Sequence, residues 1–193
     1  EGFGIGVIGC VPPSTDPEIV KGRVFDGYIE GALVCVDLNR NGRCDGAEAQ
    51  TWSDAAGAYQ LAIPKDSTAT LLAEIIAGRS RDSEQPQTTV DISFRMASPS
   101  HAYSTGITPF STLVHLTAQA DYPLAEDLVR GLLGLPPYYN VRRSAPAAAE
   151  SLTASVTKAI VAALKANGLA LDFSAPGALA TVVASFPSAL TDL

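Results

Sequence analysis

Asp37, Asn39, Asn41, Gly42, Asp45 and Glu48 stand at positions 1, 3, 5, 6, 9 and 12 of the twelve-residue segment DLNRNGRCDGAE. That is the D-x-[DN]-x-[DN]-G-x5-E spacing of a calcium loop. Ca²⁺ takes six to eight oxygen ligands at roughly 2.3–2.6 Å. A short loop can supply them only if alternate side chains turn inward and the backbone bends sharply. Asp37, Asn39 and Asn41 give the alternation, and Gly42 permits the bend. The backbone carbonyl of Arg43 fills the main-chain position. Asp45 binds directly or through water, and Glu48 closes the sphere with both oxygens. Without a cation the three carboxylates repel one another and their pKa values rise. Asn instead of Asp at two positions lowers the ligand charge, which suits roughly millimolar extracellular calcium. Mg²⁺ fits less well, because it prefers a rigid six-oxygen sphere and keeps its waters. The competing reading is an Asx-rich turn with no metal.

The surroundings of this window decide what the metal does. GALVCV precedes it and reads as a strand, while AEAQTW returns toward a strand. The helices that flank a calcium sensor are missing, so the metal is expected to rigidify a strand-to-strand connection. Its binding energy then becomes folding energy. Further strand signals fall at 20–29, 32–38, 50–53, 58–63, 69–76 and 88–96, with a turn at SDAAG and a polar loop over 78–87. Six or seven short strands at this spacing predict an antiparallel β-sandwich of the prealbumin or Ig-like type over 19–99.

After residue 100 the pattern turns helical. Thr108 reads as an N-cap with Pro109 at the first helical position. YPLAEDLVRGLLG sets Leu124, Leu128, Leu132 and Leu135 near helical spacing and stops at Gly134. A long helix over about 145–167 carries Leu152, Val156, Ile160, Val161 and Leu164 on one stripe, and a last helix begins near Pro176. The expected class is α+β: an N-terminal extension and proline-rich tether (1–18), the sandwich (19–99) and a small helical bundle (100–193).

The bulk numbers agree with a folded, cation-seeking chain. Of 193 residues, 47% are hydrophobic and 17% charged, with a formal net charge of −7. Nucleic acid and anionic membranes are poor partners for such a surface. No apolar run approaches the roughly 20 residues of a membrane span. The absence of an initiator Met fits removal of an export signal. Three cysteines, Cys10, Cys35 and Cys44, allow one internal disulfide. A Cys35–Cys44 bridge would staple a strand end to the loop that follows it; the alternative is two buried thiols. Cys10 is then free, lipidated, or bonded to another chain.

Residues 1–10 alternate Phe3, Ile5 and Val7 with glycines, which is strand period. One reading is a lipobox ending at Cys10. Another is an ordinary first strand. A third is a strand donated to a neighbouring subunit, with Phe3, Ile5, Val7 and Ile8 as its plugs. Such head-to-tail addition builds open filaments.

Other chemistry is sparse. His101 and His115 are the two histidines, and His115 reads as a satisfied, partly buried side chain. No G-x-S-x-G elbow appears. Glu126 and Asp127 read as a solvated helix face, Glu150 as a dipole partner, and YYNVRR as a loop patch. Trp52 and Tyr59 are candidate platforms for a carbohydrate. No catalytic residue is expected.

The segment over 22–64, GRVFDGYIEGALVCVDLNRNGRCDGAEAQTWSDAAGAYQLAIP, resembles calcium-binding B-type repeats of Gram-positive adhesins and related prealbumin-like (Cna-B-like) domains. The likeness lies in GALVCVDLNRNGRCDGAE and the following SDAAGAYQL. It implies Asp37, Asn39, Asn41, Asp45 and Glu48 as Ca²⁺ ligands and a rigid spacer role. Cys35 and Cys44 stand where that pattern usually has large apolar residues, which implies that they face each other. The helical half falls outside those repeats; ITPFSTLVHL and LGLP resemble a helical region trailing such modules in exported Gram-negative proteins. The expectation is a secreted or cell-surface, calcium-stabilised structural protein. Its partners would be copies of itself or surface and matrix proteins. A carbohydrate-binding accessory module is the second expectation and a hydrolase the weakest.

Overall fold

The computed structural model describes residues 16–99, 106–117, 122–141 and 151–186, with side chains from residue 154 in the last stretch. Alternation builds the outer strands. In β5 (Ala58–Ile63), Tyr59, Leu61 and Ile63 are buried while Gln60 and Ala62 face outward. β1 (Glu18–Val24) buries Val20 and Val24 in the same period. β3 (Leu33–Asp37), β6 (Thr70–Ile75) and β8 (Phe94–Pro99) are instead buried nearly throughout. Such continuous apolar runs suit strands covered on both faces. Short strands β2 (Ile29–Glu30), β4 (Gln50–Trp52), β7 (Arg81–Asp82) and β9 (Gly106–Ile107) complete the set.

The described strands form three sheets, ordered β4-β3-β6-β8, β5-β1-β9 and β2-β7. Every pairing is antiparallel except β1 with β9, where Arg23 and Val24 lie parallel to Gly106 and Ile107. The chain is thus mixed α+β with antiparallel sheets and, among the described residues, four helices.

Two strand boundaries differ from the sequence reading. The first strand ends at Val24, because Phe25 and Tyr28 bridge across a turn on Asp26 and Gly27. Gly27 has no room for a side chain: the Asp82 carboxylate occupies the place of its Cβ. The last strand starts at Phe94 rather than near residue 88. Before it, Val90 accepts from Gly78 N–H at 3.0 Å and donates to Ser80 at 2.8 Å, which pins a loop rather than a strand.

Helix α1 (Pro109–Thr117) starts where expected. Thr108 and Ser111 cap it reciprocally: Ser111 N–H donates to Thr108 Oγ1 at 2.9 Å, and Thr108 N–H to Ser111 Oγ at 2.8 Å. That geometry is a capping box with Ser in the fourth position. The same hydroxyls cover the edge of β8. Ser111 Oγ donates to Ala97 O at 2.7 Å, and Ala97 N–H donates to Thr112 Oγ1 at 3.0 Å. A sheet edge that invites foreign strands is thereby closed.

Of the leucine stripe expected over Leu124, Leu128, Leu132 and Leu135, only Leu135, beyond the end of α2 (Tyr122–Leu132), is buried. Ala125, Val129 and Leu133 are buried, whereas Leu124, Leu128 and Leu132 are exposed. Periodicity alone cannot choose between two neighbouring stripes of the same spacing. Neither acid is simply solvated: Glu126 is only partly exposed and lies 3.8 Å from Arg130, and the exposed Asp127 pairs with Arg130 Nη2 at 2.6 Å. Helix α3 (Ser151–Asn167) buries Val156, Ile160, Val161 and Leu164, leads into a 3-10 turn (Gly168–Ala170), and α4 (Ala178–Ala184) follows. One apolar cluster runs from Val20 to Val182.

The turn on Asp26 carries an unusual acid. Burial, with Asp82 and Glu84 beside it, pushes Asp26 up to about 7, while Lys165 and Lys158 pull weakly the other way. The folded chain therefore holds this proton more tightly than the unfolded chain, whose value is near 3.8. The stability tied to it is full below about pH 4 and is lost as pH rises through about 7. Asp26→Asn should stabilise the protein at pH 8 and flatten the decline in urea midpoint between pH 5 and 8. An unchanged decline would contradict this assignment.

Candidate metal site

Strand β3 sets the site. It lies between β4 and β6, and its last residue, Asp37, sits opposite Thr70. Cys35, fully buried on the same strand, forms a disulfide with Cys44, Cα–Cα 5.5 Å. The two-thiol alternative does not occur. The bridge returns the loop to the strand it left. Between the cysteines Arg40 (φ +58°) and Gly42 (φ +69°) are left-handed and curl the chain. For Arg40 that conformation is strained.

The curl turns the five predicted side chains inward. Asp37 Oδ1 accepts from Asn41 N–H at 3.0 Å and Oδ2 from Gly42 N–H at 2.9 Å. Asn39 Oδ1 accepts from Asn41 N–H at 3.0 Å, and Asn41 Oδ1 from Arg43 N–H at 2.9 Å. Asp45 Oδ2 receives the amides of Asn39 at 2.7 Å and Asn41 at 3.1 Å. Glu48 reaches back across the loop. Its Oε1 accepts from Leu38 N–H at 2.8 Å and its Oε2 from Asp45 N–H at 3.4 Å. Asp37 and Glu48 are buried at 5% and 8% exposure. The Asn39 amide, then Ala47 N–H, hold the Asp45 carboxyl below its usual range.

Among the described residues, no three His, Cys, Asp or Glu side chains converge closely enough to hold a metal ion. Asp37, Asp45 and Glu48 are spaced around the loop, and the oxygens between them belong to Asn39 and Asn41. This donor set is entirely oxygen, which is the chemistry of a hard cation. Among the described residues no ion pair reaches Asp37 or Glu48. Buried carboxylates served by neutral N–H groups still lack a positive charge, and a divalent ion would supply it. In the chemistry of its oxygens, though not in any convergence of its acids, this donor set suits calcium.

Sequence reasoning missed the outer side of this loop. A Cβ on Gly42 would stand 3.2 Å from Phe173 Cβ and 3.3 Å from its backbone nitrogen. His115 lies close enough to feel the Asp37 charge, yet burial dominates and pulls it down to about 4. It is neutral near pH 7, with Nδ1 3.5 Å from Thr70 Oγ1. Only the glycine hinted at any of this, and its turn role concealed its contact role.

The other candidates fare differently. Tyr59 is buried, and burial pushes its hydroxyl up. Trp52 is exposed, but the Arg79 guanidinium lies 3.7 Å from its ring centre and covers one face. Tyr59 therefore offers no sugar platform. Phe3, Ile5, Val7, Ile8, Cys10, His101 and Glu150 lie outside the described residues.

A bridge spanning nine positions restricts the unfolded chain by about 2–3 kcal/mol. The Cys35→Ala, Cys44→Ala double variant should lose about that much stability in urea. A loss under about 0.5 kcal/mol would show that the loop holds its curl without the bridge. Comparison with family models, with characterised proteins and with solved structures returns no match to this chain.

Proposed function

We propose that this chain is a calcium-stabilised structural module of an exported, extracellular or cell-surface protein, serving adhesion, matrix or filament assembly. The observation that carries the reading is the loop over 37–48, whose five inward side chains are knit together and tied by Cys35–Cys44. Asp37, Asn39, Asn41 and Asp45 would hold Ca²⁺ through side-chain oxygens, Arg43 through its carbonyl and Glu48 through both carboxylate oxygens. The ion supplies charge neutralisation and stiffness, not a reaction. We read the four-stranded sheet and the β5-β1-β9 sheet as the two layers of a prealbumin-like sandwich.

The disulfide favours an oxidising compartment. No helix among the described residues is long and apolar enough to cross a membrane. An acidic chain of net charge −7 favours cations and protein surfaces over nucleic acid. In this reading the partners are other copies of the chain or surface and matrix proteins. Residues Phe3, Ile5, Val7 and Ile8 would contact a neighbouring subunit by strand donation.

Two experiments test the proposal. Ca²⁺ at ten times its Kd should stabilise the chain by about 1.4 kcal/mol, read as a rise in Tm that EDTA reverses. Asp37→Asn and Glu48→Gln should abolish the rise; a Tm indifferent to Ca²⁺ rejects the metal. Deleting residues 1–10 should leave a folded monomer and remove any polymers seen by light scattering. If the deletion unfolds the monomer, those residues are an internal strand.

A further inference from the structure

The loop over 37–48 also touches the segment between the 3-10 turn and α4. Gly42 is the tightest point. Its N–H is held by Asp37 Oδ2 at 2.9 Å, while its other side abuts Phe173 and the Ser174 nitrogen. A second bridge runs through a buried ion pair. Glu74 Oε1 accepts from Cys44 N–H at 3.3 Å and from Arg95 Nε at 3.1 Å and Nη2 at 2.9 Å. Arg95, 4% exposed, then donates from Nη1 to Leu171 O at 3.4 Å. One carboxylate oxygen thus serves both the loop and the segment that follows the 3-10 turn. A third link is aromatic: the Phe173 ring lies 6.2 Å from His115 and 5.8 Å from the Arg95 guanidinium.

Two of these links begin in the loop that Asp37 curls, at Gly42 and at Cys44, and the contacts converge on residues 171–174. Uncurling the loop would move Gly42 off Phe173 and withdraw Cys44 N–H from Glu74. Packed contacts of this kind have discrete arrangements rather than a continuous range. Resting on the calcium reading above, we propose that cation binding in the loop controls the docking of residues 171–174 against the loop and β8. Reciprocity follows from linkage: docking of that segment must strengthen cation binding by the same factor. Phe173 touches no proposed ligand side chain by hydrogen bond, so it is the lever that separates coupling from ligation.

The test uses the full chain with CaCl₂ as the only added ligand. Hydrogen exchange by mass spectrometry is recorded with Ca²⁺ and with EDTA, alongside calorimetric titration of the wild type and of Phe173→Leu. Ca²⁺ should slow exchange in 171–174 as well as in 37–48, and Phe173→Leu should weaken Ca²⁺ binding about 5-fold or more. Circular dichroism checks that Phe173→Leu remains folded. If it does not, the milder Phe173→Met takes its place in the titration. Heat of binding with protection confined to 37–48, and wild-type affinity in the variant, overturns the coupling while leaving the calcium reading intact. No heat of binding in the wild type overturns both.

Discussion

The Asp37 carboxylate is the constraint on which the rest of the structure turns. It stands at the end of a strand paired on both sides, so its position is fixed by the sheet. Its two oxygens capture successive N–H groups, of Asn41 and Gly42, and thereby dictate where the chain reverses. A charge-assisted bond of this type is about twice as strong as a neutral one. Burial at 5% exposure removes the competing water. The cost is a carboxylate whose charge is shared among amides rather than cancelled, and the whole loop is organised around that residual charge. The disulfide two residues upstream resists the tendency of such a loop to open.

The protein handles its other close group of acids in the opposite way. At the turn on Asp26, Asp82 and Glu84 raise the affinity of Asp26 for a proton, and burial adds to them. There the charge can be removed by protonation near neutral pH. In the loop over 37–48, amide groups from Asn39, Asn41 and the backbone instead favour ionised oxygens, as the depressed Asp45 carboxyl shows. Neighbouring carboxylates raise each other's pKa, whereas hydrogen bonds to the charged form lower it. The second environment holds the Asp45 carboxyl below its usual range, which suits a cation ligand.

Local chemistry was readable from the chain; non-local choices were not. The loop pattern, the Thr108 cap with Pro109, and the alternating strand over 58–63 each rest on residues within a dozen positions of one another. Propensity and spacing act at that range. The failures all involve a partner elsewhere. β9 has two residues, too few for alternation to register, and it exists because Arg23 and Val24 offer an edge. Residues 88–93 have strand composition, but Ser80 and Gly78 claim the hydrogen bonds of Val90. In α2 the buried stripe is Ala125, Val129 and Leu133, one of two neighbouring stripes that spacing alone cannot tell apart. The site divides the same way: the ligand-bearing side of the loop follows from spacing, while its contact with Phe173 spans 131 positions of sequence.

Glu74 and Arg95 show why the contact between the loop and residues 171–174 is polar rather than apolar. They lie opposite each other on β6 and β8, in a region where nearly every neighbour is hydrophobic. Replacing a buried ion pair by apolar residues is often neutral or stabilising, so stability alone does not account for it. Geometry does. The guanidinium spends Nε and Nη2 on one carboxylate oxygen and still has Nη1 for Leu171 O, while that oxygen has capacity for Cys44 N–H. Methyl groups could fill the same volume but could not specify which loop and which carbonyl meet there. Because a buried donor or acceptor left without its partner costs about 1–3 kcal/mol, slippage at either contact is penalised. The pair therefore sets the register between the loop and residues 171–174.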